Sequence, residues 1–178
     1  IRLSNTKFLY DQGWRGINID ISKKSIDLFN IARKKDINLN IGIGNKNKIS
    51  DAYFKKDLFH ANTLVYEHAE KFLGKLTKKK ISVQTLDSVI LKYANKKKID
   101  FIDIDCEGND LEVLEGLDLS KIEIDIMSIE MHGYNEKTKK NAKLIFDIME
   151  KNGFKRVYGN YPDTLIFKKI WEGKWKNF

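Results

Sequence analysis

Residues 99–118 read Ile-Asp-Phe-Ile-Asp-Ile-Asp-Cys-Glu-Gly-Asn-Asp-Leu-Glu-Val-Leu-Glu-Gly-Leu-Asp and pass from one periodicity to another. Phe101, Ile102 and Ile104 stand among carboxylates with an extended period, Leu111, Val113 and Leu114 follow at helical spacing, and Gly108 lies at the switch. The pattern is strand, tight turn, helix. Asp103, Asp105 and Glu107 therefore crowd the carboxyl end of a buried strand, where ligands of open α/β sheets sit. Acids gathered there repel one another unless a ligand, a metal or hydrogen-bond donors compensate. The stretch that defines the fold is also a candidate site.

Upstream, Gly16 to Asp20 reads as a short strand ending in an acid, Ser22 as an N-cap, and Ile26, Leu28, Phe29 and Ile31 as a helix face. Leu39 to Gly44 reads as a second strand, followed by an Asn45 to Asn47 turn and an Asp51 to Lys55 segment with a hairpin partner around Thr63 to Glu67. Ile81 to Val83 is extended, and Thr85 caps a helix bearing Leu86, Val89, Ile90 and Tyr93. Downstream, Ile122 to Met131 is a buried strand, and Glu136 to Lys151 a helix with Ala142, Ile145, Phe146 and Met149 on one face. Phe154 to Tyr158 and Thr164 to Phe167 close as an antiparallel hairpin. The alternation predicts an α/β fold with a mostly parallel sheet, helices on both faces and a C-terminal antiparallel hairpin.

A chain of 178 residues with 42% hydrophobic content buries one core, so a single domain spanning 1–178 is expected. No apolar run reaches the ~20 residues of a membrane span. The lone Cys106 excludes an intrachain disulfide and points to a cytoplasmic compartment, with the thiol read as a small buried side chain. The formal charge of +8 comes from short lysine clusters, Lys78–Lys80, Lys96–Lys98, Lys139–Lys140 and Lys168–Lys169. They lack the interleaved aromatics of an RNA-recognition motif, so nucleic acid is not the expected partner. Attraction of an anionic substrate, such as a nucleotide-linked sugar or a phosphorylated lipid carrier, is the functional reading of that charge.

In order along the chain occur Gly13-Trp14-Arg15-Gly16-Ile17-Asn18-Ile19-Asp20, Gly42-Ile43-Gly44, Thr85-Leu86-Asp87, Ile102-Asp103-Ile104-Asp105-Cys106-Glu107-Gly108, Val113-Leu114-Glu115-Gly116 and Ile129-Glu130-Met131-His132. Together, from about Ser4 to about Phe167, they resemble the FkbM family of S-adenosylmethionine-dependent methyltransferases. Two positions depart from the family pattern: Asp103 stands where Lys is usual, and Asp20-Ile21 where Glu-Pro is usual. The resemblance implies a Rossmann-like class I methyltransferase sheet whose first strand and Gly-rich loop would precede Ile1. It implies S-adenosyl-L-methionine as cofactor and a sugar or glycoside hydroxyl as methyl acceptor, nucleotide- or lipid-linked, in bacterial surface polysaccharide or natural-product glycosides. A homodimer is compatible with it.

On that resemblance Asp20 accepts the ribose hydroxyls, Ile21 covers an adenine face, Gly44 and Asn45 line the adenine edge, and Ser4 and Asn5 contact the methionine end. Asp105 faces the cofactor amino group or the acceptor, and Glu107 the acceptor. His132 is the general base by its intrinsic pKa, with Glu130 orienting it. No metal ligand is assigned. Each residue also has a plainer reading: Asp20 and Glu107 as acids near helix N-termini, Ser4 or Asn5 as a helix cap, His132 as a satisfied strand-end histidine. Two rival functions use the same residues. Asp103-x-Asp105 fits the metal-binding pattern of glycosyltransferases. A degenerate methyltransferase fold would act as a binding module, with the tail aromatics Trp171, Trp175 and Phe178 as its contact surface.

Overall fold

A computed structural model describes residues 4–55, 62–73, 76–94 and 98–171. The chain enters through α1 (Lys7–Asp11) and forms a β-α-β unit of β1 (Ile17–Ile19), α2 (Lys23–Ala32) and β2 (Ile37–Leu39). The two strands run parallel, Ile17 opposite Ile37 and Ile19 opposite Leu39. Ser22 caps α2, its side chain accepting from the Ser25 amide and satisfying one of the orphan donors of the first turn. Arg33, only 2% exposed, ties the entering segment to β1 by donating to the hydroxyls of Ser4 and Thr6 and to Asn18.

β3 (Gly42–Ile43), β4 (Lys48–Phe54), α3 (Tyr66–Leu73) and β5 (Thr77–Gln84) follow, the strands in the order β3-β5-β4. Thr85 caps α4 (Leu86–Val89), which continues as a π-helical turn over Ile90–Ala94. The last unit comprises β6 (Lys98–Ile104), α5 (Asp110–Glu115), β7 (Glu123–Ile129), α6 (Glu136–Lys151), β8 (Phe154–Tyr158) and β9 (Leu165–Lys169), with strand order β6-β7-β9-β8. Asn135 and Thr138 form a reciprocal capping box at the start of α6.

The α/β class is as expected, but the pairing is mixed. β1/β2, β3/β5 and β6/β7 are parallel, whereas β4/β5, β7/β9 and β8/β9 are antiparallel. The expected strand over Leu39 to Gly44 is two strands in two ladders. It breaks where the Asn40 side chain donates to the carbonyls of Asp20 and Ile21. The expected hairpin partner near Thr63 to Glu67 is reduced to an antiparallel Tyr53–Thr63 bridge with β4, and helix α3 begins at Tyr66. The true partner of β4 is the lysine-rich β5. Lys80 lies opposite Asp51, and the ammonium groups of Lys78 and Lys80 sit 2.9 and 2.8 Å from the Asp51 carboxylate. A cross-strand charge pair stabilises a pairing that the lysine run alone disguises as loop.

The core gathers Ile104, Val113, Leu114, Met127, Ile129, Met149 and Phe167 between β6, β7, β9 and the helices α5 and α6. Side chains of this size contribute about 1.5–3 kcal/mol each when fully buried. Among the described residues no helix is long and apolar enough to cross a membrane. Trp171 packs back on the sheet, its indole N–H 3.2 Å from the Asp125 carboxylate. The other two tail aromatics, Trp175 and Phe178, lie outside the described residues, as do Lys96 and Ala94's other neighbours through Lys97.

Gly116, at the end of α5, lets the helix meet the turn after β3. A Cβ there would collide with the Gly44 carbonyl oxygen and crowd Asn45. Gly116→Ala is accordingly expected to destabilise the fold by about 1–3 kcal/mol, the usual cost of forced overpacking. An unchanged midpoint in urea unfolding would contradict this packing.

Candidate active site

The turn after β6 is built by one side chain. The Asp110 carboxylate accepts from the backbone N–H of Cys106 at 2.8 Å and of Gly108 at 3.1 Å, drawing the chain into a tight loop. Glu107 takes a positive φ of 52° and Gly108 one of 92°. For a residue other than glycine this conformation costs roughly 1–3 kcal/mol and persists only where surroundings enforce it. They do so here: the Thr63 hydroxyl donates to the Glu107 carbonyl at 2.8 Å, and the buried Asn109 side chain donates to the Ile43 carbonyl at 2.8 Å.

So held, the Glu107 carboxylate lies 3.0 Å from Nε2 of His68, a buried residue of α3. The other ring nitrogen of His68 is 3.2 Å from the Tyr134 hydroxyl. From the end of β7, Glu130 and His132 face each other at 3.1 Å, and the rings of His68 and His132 are 5.1 Å apart. The Glu130 amide donates to the Ile104 carbonyl at 2.9 Å, so the exits of the two parallel strands are fastened side by side. Phe72 and Tyr134 close one side in an edge-to-face contact at 5.1 Å.

The environment separates the acids. Burial of the carboxyl, then the charges of Glu130 and Glu107, push Asp105 up to about 7. Burial likewise raises Asp110 to about 7, against the Cys106 amide that favours its ionised form. Burial works to raise Glu130 too, but the close contact and charge of His132 outweigh it and hold this carboxyl below its usual range. His132 is the mirror case: burial opposes its charge, and Glu130, with Asp110 and Glu107 adding, raises its pKa nonetheless. Burial drives the Cys106 thiol well up, which suits an inert side chain.

Of the residues singled out in the sequence, Asp105, Glu107, Glu130 and His132 are brought together. Asp20 lies at the end of β1, its carboxylate accepting from the Ser22 amide at 2.7 Å. Burial raises its pKa, while that bond and the Ser25 hydroxyl lower it. Ile21 lies beside Gly42, within 3.5 Å of where a Cβ would stand. Gly44 and Asn45 adjoin α5, the Asn45 amide donating to Glu115 at 3.2 Å, and line a cleft of about 430 Å³ with Tyr66, Gly108, Glu112 and Asn141. Ser4 is a partner of Arg33 rather than a helix cap, a position held by Thr6. Asn5 donates to Asp103 at 3.1 Å. Asp103 enters none of the acid and histidine clusters among the described residues, and the glycosyltransferase reading of Asp103-x-Asp105 is not favoured. Sequence reasoning missed His68, Tyr134 and Asp110. Asp110, two residues past the turn glycine at a helix start, carried the local signal of a loop-closing acid; His68 carried only the scarcity of a residue type present three times.

Acids and a histidine thus gather at the exits of the adjacent parallel strands β6 and β7, where ligands of open α/β sheets sit. The family model described as the methyltransferase FkbM domain matches residues 2–156, and the chain belongs to that family. Among solved structures, the crystal structure of methyltransferase FkbM from Methylobacillus flagellatus KT is similar at 14% identity and a TM-score of 0.42, over 86% of this chain and 43% of that one. The present chain thus spans less than half the length of that protein. No curated protein sequence matches it.

Asp110→Ala is expected to cost about 1–3 kcal/mol by stranding two loop amides, read from urea unfolding. Asp105 and Asp110 keep protons in the folded chain where the unfolded chain has released them. Their contribution to stability is therefore full below about pH 4 and fades as pH rises through about 7. Melting temperature should fall from about pH 5 to about pH 8, and Asp105→Asn should flatten that slope; identical slopes in both proteins would refute the assignment.

Proposed function

We propose that the chain is an S-adenosylmethionine-dependent methyltransferase of cytoplasmic, Rossmann-like type that methylates a sugar hydroxyl on a nucleotide- or lipid-linked glycoside or surface polysaccharide. The observation that carries the reading is family membership over residues 2–156. The parallel β1/β2 and β6/β7 pairs supply strand exits of the kind such cofactors occupy. The net charge of +8 favours an anionic carrier on the acceptor.

Asp20 would accept the ribose hydroxyls. A carboxylate has about four lone-pair sites, and the Ser22 amide and Ser25 hydroxyl leave room for two more donors. Ile21 would lie against the adenine, and Gly44 with Asn45 near its edge. Ser4 and Asn5 would reach the methionine end, and Asp105 the amino group. The bound cofactor would supply a methyl group from its sulfonium and leave as S-adenosylhomocysteine, and neutral His132 would take the hydroxyl proton of the acceptor. Glu130 orients the ring and stabilises the imidazolium, and Glu107 positions the acceptor. Alignment of oxygen, methyl and sulfur supplies much of the rate.

Calorimetric titration of S-adenosylhomocysteine tests the cofactor: saturable binding is expected, weakened about 10–100-fold by Asp20→Asn through loss of a charge-assisted contact. Absence of heat with the wild-type chain would sink the reading. Because His132 must be neutral to act, and Glu130 raises its pKa, the rate should climb with pH through a value above the ordinary histidine range. His132→Gln should lower kcat by about 10²–10⁴ and abolish that limb of the profile.

A further inference from the structure

The cluster at the strand exits holds more ligating groups than proton transfer uses. His68, Glu107 and His132 each offer one ring nitrogen or carboxylate oxygen, and these atoms lie within 4.8 Å of one another. Asp110, Glu130 and His132 form a second such triple, and Asp105, Glu107 and Glu130 a third, so the sets overlap around one point. We propose that His68, Glu107 and His132 bind a divalent transition-metal ion of the zinc type, with Glu130 beside them.

The donor set selects the ion. Two imidazoles and a carboxylate suit zinc and its borderline neighbours, whereas magnesium and calcium take oxygen ligands almost throughout. The set is also pre-organised. His68 is 2% exposed, turns one nitrogen to the Tyr134 hydroxyl at 3.2 Å and leaves Nε2 aimed at Glu107 at 3.0 Å. That is how a metal-binding histidine is held, its second nitrogen engaged by an outer partner. Glu107 is presented on a strained left-handed backbone that the Thr63 hydroxyl pins. The three ligands come from three separate elements, α3 and the loops after β6 and β7, so their convergence is a product of the tertiary fold.

Charge supports the same conclusion. Asp105, Glu107, Asp110 and Glu130 share the cluster with the imidazoles of His68 and His132. The Nε2 atom of His132 and Oε2 of Glu130 are out of contact with solvent and, although 3.1 Å apart, lack hydrogen-bond alignment with each other. A divalent cation would satisfy both and offset the crowded carboxylates. The ion-free chain keeps His132 as the base described above, whereas coordination would occupy that ring nitrogen. On the methyl-transfer reading the ion would then acidify the acceptor hydroxyl itself, but binding of the ion does not depend on that reading.

The test is a calorimetric titration of Zn²⁺ into the chelator-treated chain, repeated with Co²⁺ to record the visible bands of a low-coordinate site. No cofactor or acceptor is present, so failure of the methyltransferase assignment is a separate result. One ion per chain is expected, with affinity reduced about 100-fold in both Glu107→Gln and His132→Asn. Both positions retain some solvent contact, so these variants are chosen over substitution of the buried His68, and thermal melting by circular dichroism verifies that each folds. The proposal is overturned if the wild-type chain binds no ion, or if either folded variant binds as tightly as wild type.

Discussion

The hydrogen bonds from the Cys106 and Gly108 amides to the Asp110 carboxylate shape the loop on which the candidate site depends. Among the described residues the strands form three sheets, and the loop those bonds create joins two of them, β3-β5-β4 and β6-β7-β9-β8. Through Asn109 it grips the Ile43 carbonyl of β3. Through the Glu107 carbonyl it grips Thr63, whose own backbone bridges Tyr53 of β4. Just before it, the Ile104 carbonyl receives the Glu130 amide from β7. A loop carrying this many obligatory partners can sustain a left-handed glutamate, because relaxing that residue would break contacts to three neighbours at once.

What could be read in the sequence is what local physics decides. The 16-residue helix Glu136–Lys151 was legible from its apolar face, and the structure closes it with a capping box at Asn135 and with Gly153 at positive φ. Ser22 and Thr85 likewise announced their helices. The turn at Gly108 and the acids around it were legible because a change of period with a glycine at the joint has few other meanings. By contrast, β5 begins Thr-Lys-Lys-Lys and became a strand only because Asp51 stands across from it, a partner 29 positions away from Lys80 in the chain. The expectation of a mostly parallel sheet failed at that long-range pairing.

The site followed the same division. Glu107, Glu130 and His132 were visible because they end apolar runs. His68 was not, because nothing in Val-Tyr-Glu-His-Ala distinguishes a histidine packed inward from one left in water. Its inward position depends on Glu107 and Tyr134, which are distant in sequence and meet it only in the folded chain.

Within the cluster, proximity alone does not set charge. Asp105 and Glu130 are neighbours in one partly desolvated environment, yet one is pushed toward its protonated form and the other toward its ionised form. The difference is the imidazole: His132 faces Glu130 at 3.1 Å, while Asp105 meets only other acids. Groups of like chemistry driven apart in this way give a site one acid and one base at the same pH, the condition for moving a proton. Asp20, at the other strand exit, has no such neighbour; its charge is opposed by burial and supported by the Ser22 amide and Ser25 hydroxyl at the start of its own helix. On the proposed function the two exits would divide the work, one carboxylate held by the Ser22 amide for recognition and a set of acids and histidines tuned by its own members for chemistry.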